Sequence, residues 1–415
     1  MVAEMKKFIK MIFVGILILE TSVVNTTGAS VLSEKEPIQD FDGNVVEAGN
    51  QVSELNLTCK GAMLLEASTG TVLFEKDSDQ ILSPASITKI MTLILTFDAL
   101  QEGKIKMNDA VTTSEHAKSM GGSQVFLETG EQQTVETLIK CIVVASGNDA
   151  SVAMAEHIAG SEEEFVKRMN QRANELGMKH THFVDCCGLT DADEHYTTAR
   201  DVALMSRELL TKYPQITKYS TIWMENITHK TKLGEKEFTL ANTNKLLKQY
   251  AWATGLKTGS TQKAKYCLSA TAKKDGIELI AVVMGAENYK LRFKEAMELL
   301  NYGYANCKKY QDKETEKIKV KISGGAETEA EGYVKQPFSY IAKKEENPKE
   351  IKKKIIFEES LKAPIQKDQK IGKIQYLLNE KKIGERDILA KKEVESLQYK
   401  DYFQKIIGKY LLDVL

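Results

Sequence analysis

Ser83-Pro84-Ala85-Ser86-Ile87-Thr88-Lys89, followed by the apolar run Ile90-Met91-Thr92-Leu93-Ile94-Leu95-Thr96-Phe97, decides how the chain is read. Ser83 has the chemistry of an N-cap, and Pro84 suits a first helical position, where its missing N–H costs nothing. A helix beginning there places Ser86 in its first turn, with Lys89 three residues on and on the same face. The run after Lys89 is apolar nearly all round, which predicts a helix buried in a core. A hydroxyl and an amine would then lie side by side at the mouth of a buried helix. That arrangement suits a serine nucleophile with a lysine to take its proton, while free first-turn N–H groups stabilise a developing oxyanion. Alone, Ser-x-x-Lys fits equally a capped helix with a surface lysine.

Two other stretches weigh against that bland reading. Ser146-Gly147-Asn148 falls on a short break between two helical patterns, and Lys257-Thr258-Gly259 falls in a predicted strand. Three short motifs in the order S-x-x-K, S-x-N, K-T-G are far more specific than any one of them.

The 415 residues exceed one average domain and predict at least two. With 57 basic and 58 acidic residues the net charge is -1, so there is no bulk electrostatic case for a nucleic-acid partner. Lys6, Lys7 and Lys10 precede the apolar stretch Met11–Leu19, and small residues follow around Thr27-Gly28-Ala29. This pattern predicts a secretory signal over residues 1–29, with an uncleaved N-terminal anchor as the alternative. Six cysteines are scattered without metal-ligand spacing, and Cys141 and Cys267 sit inside apolar patterns, as small buried residues do. No His/Asp/Glu set has the spacing of a zinc peptidase, so neither metal nor cofactor is expected.

In chain order, residues 30–57 are polar and patternless and form a leader. A β-hairpin is predicted around Ser68-Thr69-Gly70, and Gly121-Gly122-Ser123 reads as loop. Thr134 should cap a helix reaching Val144, Asn148 or Asp149 the next, and Thr198 another over Ala199–Leu210; Ser161 to Leu176 is amphipathic and stops at Gly177. The strands around Lys257, Tyr266–Thr271 and Ile277–Val283 follow, the last two joined by a turn at Lys274-Asp275-Gly276. Two early strands and three late ones, with helices between, predict an antiparallel sheet closed by both chain ends. The catalytic unit is bounded at 58–309. Residues 310–390 read as a small all-β domain. Residues 391–415 carry Val394, Leu397, Tyr402, Phe403, Ile406, Ile407, Tyr410, Leu411 and Leu412 on one helical stripe. That pattern fits an interfacial membrane helix, or a helix packed on its own domain.

On Ser83–Lys89, Ser146-Gly147-Asn148-Asp149-Ala150, Glu175-Leu176-Gly177-Met178, His195-Tyr196-Thr197-Thr198-Ala199-Arg200-Asp201 and Gly255–Thr261, the chain resembles the serine-type D-alanyl-D-alanine carboxypeptidases, the low-molecular-weight penicillin-binding proteins. The resemblance covers nearly everything after the signal. It implies an α/β fold: a penicillin-binding, β-lactamase-like domain of antiparallel sheet flanked by helices, plus a small β domain and an amphipathic C-terminal anchor at the outer face of the cell membrane. It also implies a substrate, the peptidoglycan stem peptide ending in D-Ala-D-Ala, and covalent inhibition by β-lactams. Ser86 would attack the carbonyl between the two D-alanines, and Lys89 would take its proton. Ser146 would relay a proton to the leaving amine, and Asn148 would bind the substrate amide. Lys257 and Thr258 would hold the terminal carboxylate, Gly259 would open the strand edge, and the N–H groups of Ser86 and Ser260 would form the oxyanion hole. One stretch departs from the family pattern: Asn-x-His-Gly-Leu is replaced by Asp185-Cys186-Cys187-Gly188-Leu189, expected as a loop at the site rim. His195, Arg200 and Asp201 suit a structural role better than chemistry. A class A β-lactamase is disfavoured, since the usual Glu-x-x-Leu-Asn form is absent between Ser146 and Lys257, and the similar letters Glu298-Leu299-Leu300-Asn301 come after the third motif. An inactive wall-binding module conflicts with intact Ser86, Lys89 and Lys257. A DD-endopeptidase would use the same machinery and stays open.

Overall fold

The computed structural model describes residues 55–231, 234–312, 318–400, 402–403 and 407. The expected signal and nearly all of the leader therefore lie outside the described residues. A central antiparallel sheet has the order β2 (Val72–Lys76), β1 (Gly61–Glu66), β9 (Ile277–Ala286), β8 (Lys265–Lys274), β7 (Ala253–Thr261). The early hairpin and the late meander meet along β1–β9, as the distribution of strands along the chain predicts. Alternation along the strands divides two cores. Ala62, Leu64, Leu268, Ala270, Leu279, Ala281 and Val283 face one side, where helix Tyr289–Asn306 covers them with Phe293, Ala296, Leu299 and Leu300. Met63, Leu65, Cys267, Ile280, Val282 and Met284 face the other, toward the helical half. A sheet covered on both faces explains why β9 reads as an almost continuous apolar run. Asp275 (φ +50°) and Gly276 (φ +77°) make the β8–β9 turn left-handed at both residues, which matches the right-handed twist of the strands.

Within the helical half, α1 (Lys89–Gln101) is the buried axis, with Ile90, Met91, Leu93, Ile94 and Phe97 all inaccessible. Each such side chain contributes about 1.5–3 kcal/mol of burial. Around it lie α2 (Glu115–Ser119), α3 (Val135–Val143), α4 (Asn148–Ala159), α5 (Glu162–Glu175) and α6 (Ala199–Lys212), and this part of the chain adds two ribbons, β3 (Ala110–Thr112) with β4 (Gln132–Thr134) and β5 (Met224–Thr231) with β6 (Gly234–Ala241). Thr134, Ser161 and Thr198 cap α3, α5 and α6 through their hydroxyls, and Gly177 (φ +74°) follows the end of α5.

Two expected caps are corrected. Ser83 caps nothing: the chain enters through Pro84 in helical conformation and Ala85 at φ +47°, and the residues from Ala85 to Thr88 form a 3-10 turn ahead of α1. The buried Ser83 Oγ has no partner among the described residues. The cap of α4 is Gly147, and Asn148 is its first helical residue, because the Asn148 side chain is drawn away into the site.

The second unit is a five-stranded sheet in the order β11 (Ile318–Lys321), β12 (Glu329–Tyr333), β16 (Lys381–Ala390), β15 (Lys370–Leu378), β14 (Lys352–Phe357). The ribbon of β10 (Cys307–Gln311) with β13 (Ser339–Lys343) leads into it. Three expected boundaries shift. Leu57 belongs to the catalytic core, β10 already pairs across position 310, and the β domain runs past 390. Val394 is buried against Ile365, and Leu397 N–H donates to Gly324 C=O, so the first two members of the C-terminal stripe are β-domain packing and not helix. Helical turns occur only at described residues from Tyr399 onward; Ile406, Tyr410, Leu411 and Leu412 lie outside the described residues.

Candidate active site

The 3-10 turn points Ser86 outward: it is half-buried, while Ala85, Ile87, Thr88 and Lys89 around it are buried. The left-handed Ala85 costs roughly 1–3 kcal/mol and is held from two sides. Thr88 Oγ1 donates to Ala85 C=O (2.8 Å). That hydroxyl in turn accepts from His195 Nε2 (2.8 Å), whose Nδ1 accepts Val184 N–H (3.1 Å). His195 is kept neutral, since burial lowers its pKa. Gly188 lies directly under the same carbonyl: a Cβ there would stand 1.8 Å from Ala85 O. The expected structural role of His195 thus includes buttressing the turn that carries Ser86. Arg200 pairs with Asp79 and Glu75 at the surface, while Asp201 holds His180 N–H and Thr181 Oγ1.

Lys89 Nζ lies 3.0 Å from Ser86 Oγ, 2.6 Å from Asn148 Oδ1 and 2.7 Å from Cys187 C=O. An ammonium has three protons, and three acceptors meet them. When it loses one, the lone pair is free to receive the Ser86 hydroxyl proton. Burial depresses the Lys89 pKa from its ordinary value, with nearby acidic groups opposing. Lys257, on β7, donates to Ser146 Oγ (2.8 Å) and to Thr258 C=O (3.1 Å). Its pKa is pulled down further, by burial first and then by the cations of Lys89 and Arg292. Ser146 itself sits at φ +62° in the break between α3 and α4. All three motifs therefore converge, with Ser86–Lys89 and Ser146–Lys257 as two adjacent hydroxyl–amine pairs.

Asn148 is doubly engaged, since its Nδ2 also donates to Gly121 C=O (2.7 Å), so it fixes Lys89 and the 121–123 loop as well as facing the site. Thr258 Oγ1 bonds Thr243 Oγ1 (2.8 Å). Ser260 is exposed on β7, the edge strand of the sheet. Gly259 has a packing reason to be glycine: a Cβ would fall 2.9 Å from Pro84 O and 3.0 Å from Ile87 N, where β7 crosses the Ser86 turn. The 185–189 loop reaches the rim with the exposed Leu189, near Gly122 and Asn148, but its middle turns inward. Cys186 and Cys187 are fully buried, and the Cys187 carbonyl reaches the centre of the site, so a reactive thiol there is ruled out by access. All six cysteines are free and buried, and burial pushes the Cys186 thiol well up.

Arg292 escaped the sequence reading. Buried on the long helix Tyr289–Asn306, it donates through Nη1 to Gly259 C=O (3.2 Å) and Cys267 C=O (3.4 Å), beneath the Lys257 strand. Its Nε has no partner among the described residues. A charged residue on a helix reads as surface, and only the register of that helix against β8 brings it under the site.

Comparison with known proteins agrees with this geometry. The D-alanyl-D-alanine carboxypeptidase family profile matches residues 48–288, and the profile of the penicillin-binding protein 5 C-terminal domain matches 307–396. D-alanyl-D-alanine carboxypeptidase DacF of Bacillus subtilis is 41% identical over 409 residues, covering 98% of this chain and 99% of that protein. DacC of Escherichia coli is 34% identical, covering 86% of this chain and 89% of that protein. The crystal structure of penicillin-binding protein 5 from Haemophilus influenzae superposes with a TM-score of 0.70 at 31% identity, covering 83% of this chain and 100% of that one. With its Ser86 turn, its two buried lysines and its appended β domain, the chain belongs to the serine-type D-alanyl-D-alanine carboxypeptidase family.

Proposed function

We propose that the chain removes the terminal D-alanine from peptidoglycan stem pentapeptides through an acyl-enzyme on Ser86. The observation that carries this reading is Lys89 Nζ at 3.0 Å from Ser86 Oγ, in a site where burial favours the neutral amine. Neutral Lys89 takes the hydroxyl proton as Ser86 Oγ bonds to the carbonyl carbon between the two D-alanines. The N–H groups of Ser86 and Ser260 receive the oxyanion. The C–N bond then breaks, and the proton held by Lys89 passes by way of Ser146, which Lys257 backs, to the departing amine, leaving Lys89 neutral again. Water attacks the ester, Lys89 takes its proton and returns it to Ser86 Oγ as the ester C–O bond breaks. Arg292 beneath the strand gives the β7 end of the site positive potential, and a bound terminal carboxylate would itself favour the protonated form of Lys257, while Thr258 and Asn148 offer the carboxylate and the peptide amide hydrogen bonds. β-Lactams would acylate the same oxygen. Mass spectrometry of a pentapeptide stem after incubation should show loss of one alanine. Cleavage only of crosslinked dimers would instead identify a DD-endopeptidase.

The reading extends to location. The pattern of residues 1–29 supports export, and the tail supports attachment to the outer face of the membrane. Among the described residues no helix is long and apolar enough to cross a membrane. Tyr399, Tyr402, Phe403 and Ile407 are exposed beyond the last β-domain contact, as an interfacial helix requires. Because Val394 and Leu397 belong to the β domain, the informative truncation removes residues 399–415 only. It should move the mature protein from the membrane to the soluble fraction with peptide hydrolysis intact. Continued pelleting, with removal of the signal verified by N-terminal sequencing, would make the tail a packing segment.

A further inference from the structure

Asp185 belongs to none of the three motifs, yet it organises the wall facing Ser86. Its Oδ1 accepts the N–H groups of Cys187 (2.9 Å) and Gly188, and its Oδ2 accepts that of Thr190 (3.0 Å). The loop is pinned from behind as well: Cys186 N–H donates to Glu162 (2.9 Å), and Thr92 Oγ1 donates to Cys186 C=O (2.5 Å). The outcome is a Cys187 carbonyl fixed 2.7 Å from Lys89 Nζ, and a Gly188 seated under Ala85.

We propose that Asp185 is the positioning residue of this site: its carboxylate seats the Cys187 carbonyl on Lys89 and supplies the counter-charge that keeps Lys89 an effective base. Ser86 faces that amine from its own turn, Asn148 and Asp149 from α4, Lys257 from β7, and Cys186 and Cys187 from the loop. Asp149 is committed to the N–H groups of Val125, Leu127 and Ala150. Burial pulls the Lys89 pKa down, while the repulsion between the two amines falls on Lys257, which burial and the Lys89 cation lower still more. An amine lowered too far is neutral at every working pH but accepts a proton poorly, and general bases act best with a pKa near the operating pH. The groups around it oppose the fall, the thiols of Cys187 and Cys186 first and the carboxylate of Asp185 after them.

The proposal rests on Lys89 being the proton acceptor, and its test separates the two. Acylation of the full chain by a fluorescent penicillin would be followed from about pH 5 to about pH 10. Asp185→Asn keeps an oxygen for the Cys187 and Gly188 N–H groups but no charge, so the midpoint of the rising limb should move to lower pH by about one unit. Asp185→Glu keeps the charge with displaced hydrogen bonds: its midpoint should stay with the wild type while its plateau falls about tenfold or more, the effect of a misplaced base. A wild-type midpoint in Asp185→Asn, whatever its rate, would overturn the proposal. So would an equal shift in both variants. Failure of the underlying reading would appear elsewhere, as undiminished acylation in a Lys89 variant.

Discussion

Ser86→Ala should lose all covalent labelling by a fluorescent penicillin, and its peptide hydrolysis should fall by roughly 10⁵–10⁶-fold, the scale on which a serine peptidase loses its nucleophile. Among the described hydroxyls of the site, Ser86 Oγ combines partial exposure with contact to an amine that can take its proton, whereas Ser146 Oγ is buried and bonded to Lys257. The variant should fold. Its deleted oxygen accepts one bond from Lys89, worth about 1 kcal/mol, and the amine keeps Asn148 and Cys187 as acceptors. The melting temperature should therefore drop by only about 2–4 °C. The strain at Ala85 is carried by Thr88 and Gly188, neither of which touches the deleted oxygen, so the turn should persist. Non-covalent binding of substrate should survive as well, because Lys257, Thr258 and Asn148 are untouched. Labelling at wild-type level would remove Ser86 from the chemistry altogether.

What could be read in the sequence were features that one segment sets by itself. The all-round apolar run after Lys89 can only be a buried helix, and the turn at Asp275-Gly276 joins two apolar strands. Motif order carried the three clusters into one site because each sits at an element end that the pattern marks. What could not be read depends on partners distant in the chain. Ser83 has the chemistry of a cap, yet Ala85 is driven left-handed by Gly188 and Thr88, and the helix starts later. Asn148 would cap α4 were its side chain not held by Lys89. Val394 fits a helical stripe and an alternating strand equally, and the choice was made by Ile365 across the β domain. Cys187 contributes a carbonyl, and no side-chain pattern announces a backbone atom. Arg292 needed the packing of its helix beneath β7 and β8 before it could be anything but a surface charge.

Lys89→Arg should lower acylation by about 10²–10⁴-fold, the usual worth of a general base, and should abolish its pH dependence over the neutral range. Guanidinium holds its proton at any ordinary pH, so the variant keeps a cation beside Asn148 and Cys187 while losing the one function in question. In the wild type, burial sets the folded pKa of Lys89 below that of free lysine, and only the neutral amine accepts the serine proton. Acylation should therefore rise with pH as Lys89 deprotonates and flatten once it is neutral. The competing base is Lys257 acting through Ser146, since that pair also stands at 2.8 Å and its lysine is depressed more strongly. The two assignments diverge in the variant. If Lys89 is the base, the rising limb disappears with the rate. If Lys257 is the base, the limb persists and the loss stays below about tenfold. Lys89→Met, of similar length and uncharged, guards against an arginine that merely fits badly. With Lys89 as base it should match the loss in Lys89→Arg. With Lys257 as base it should instead move the limb to higher pH, because deleting the Lys89 cation removes one of the charges holding Lys257 down.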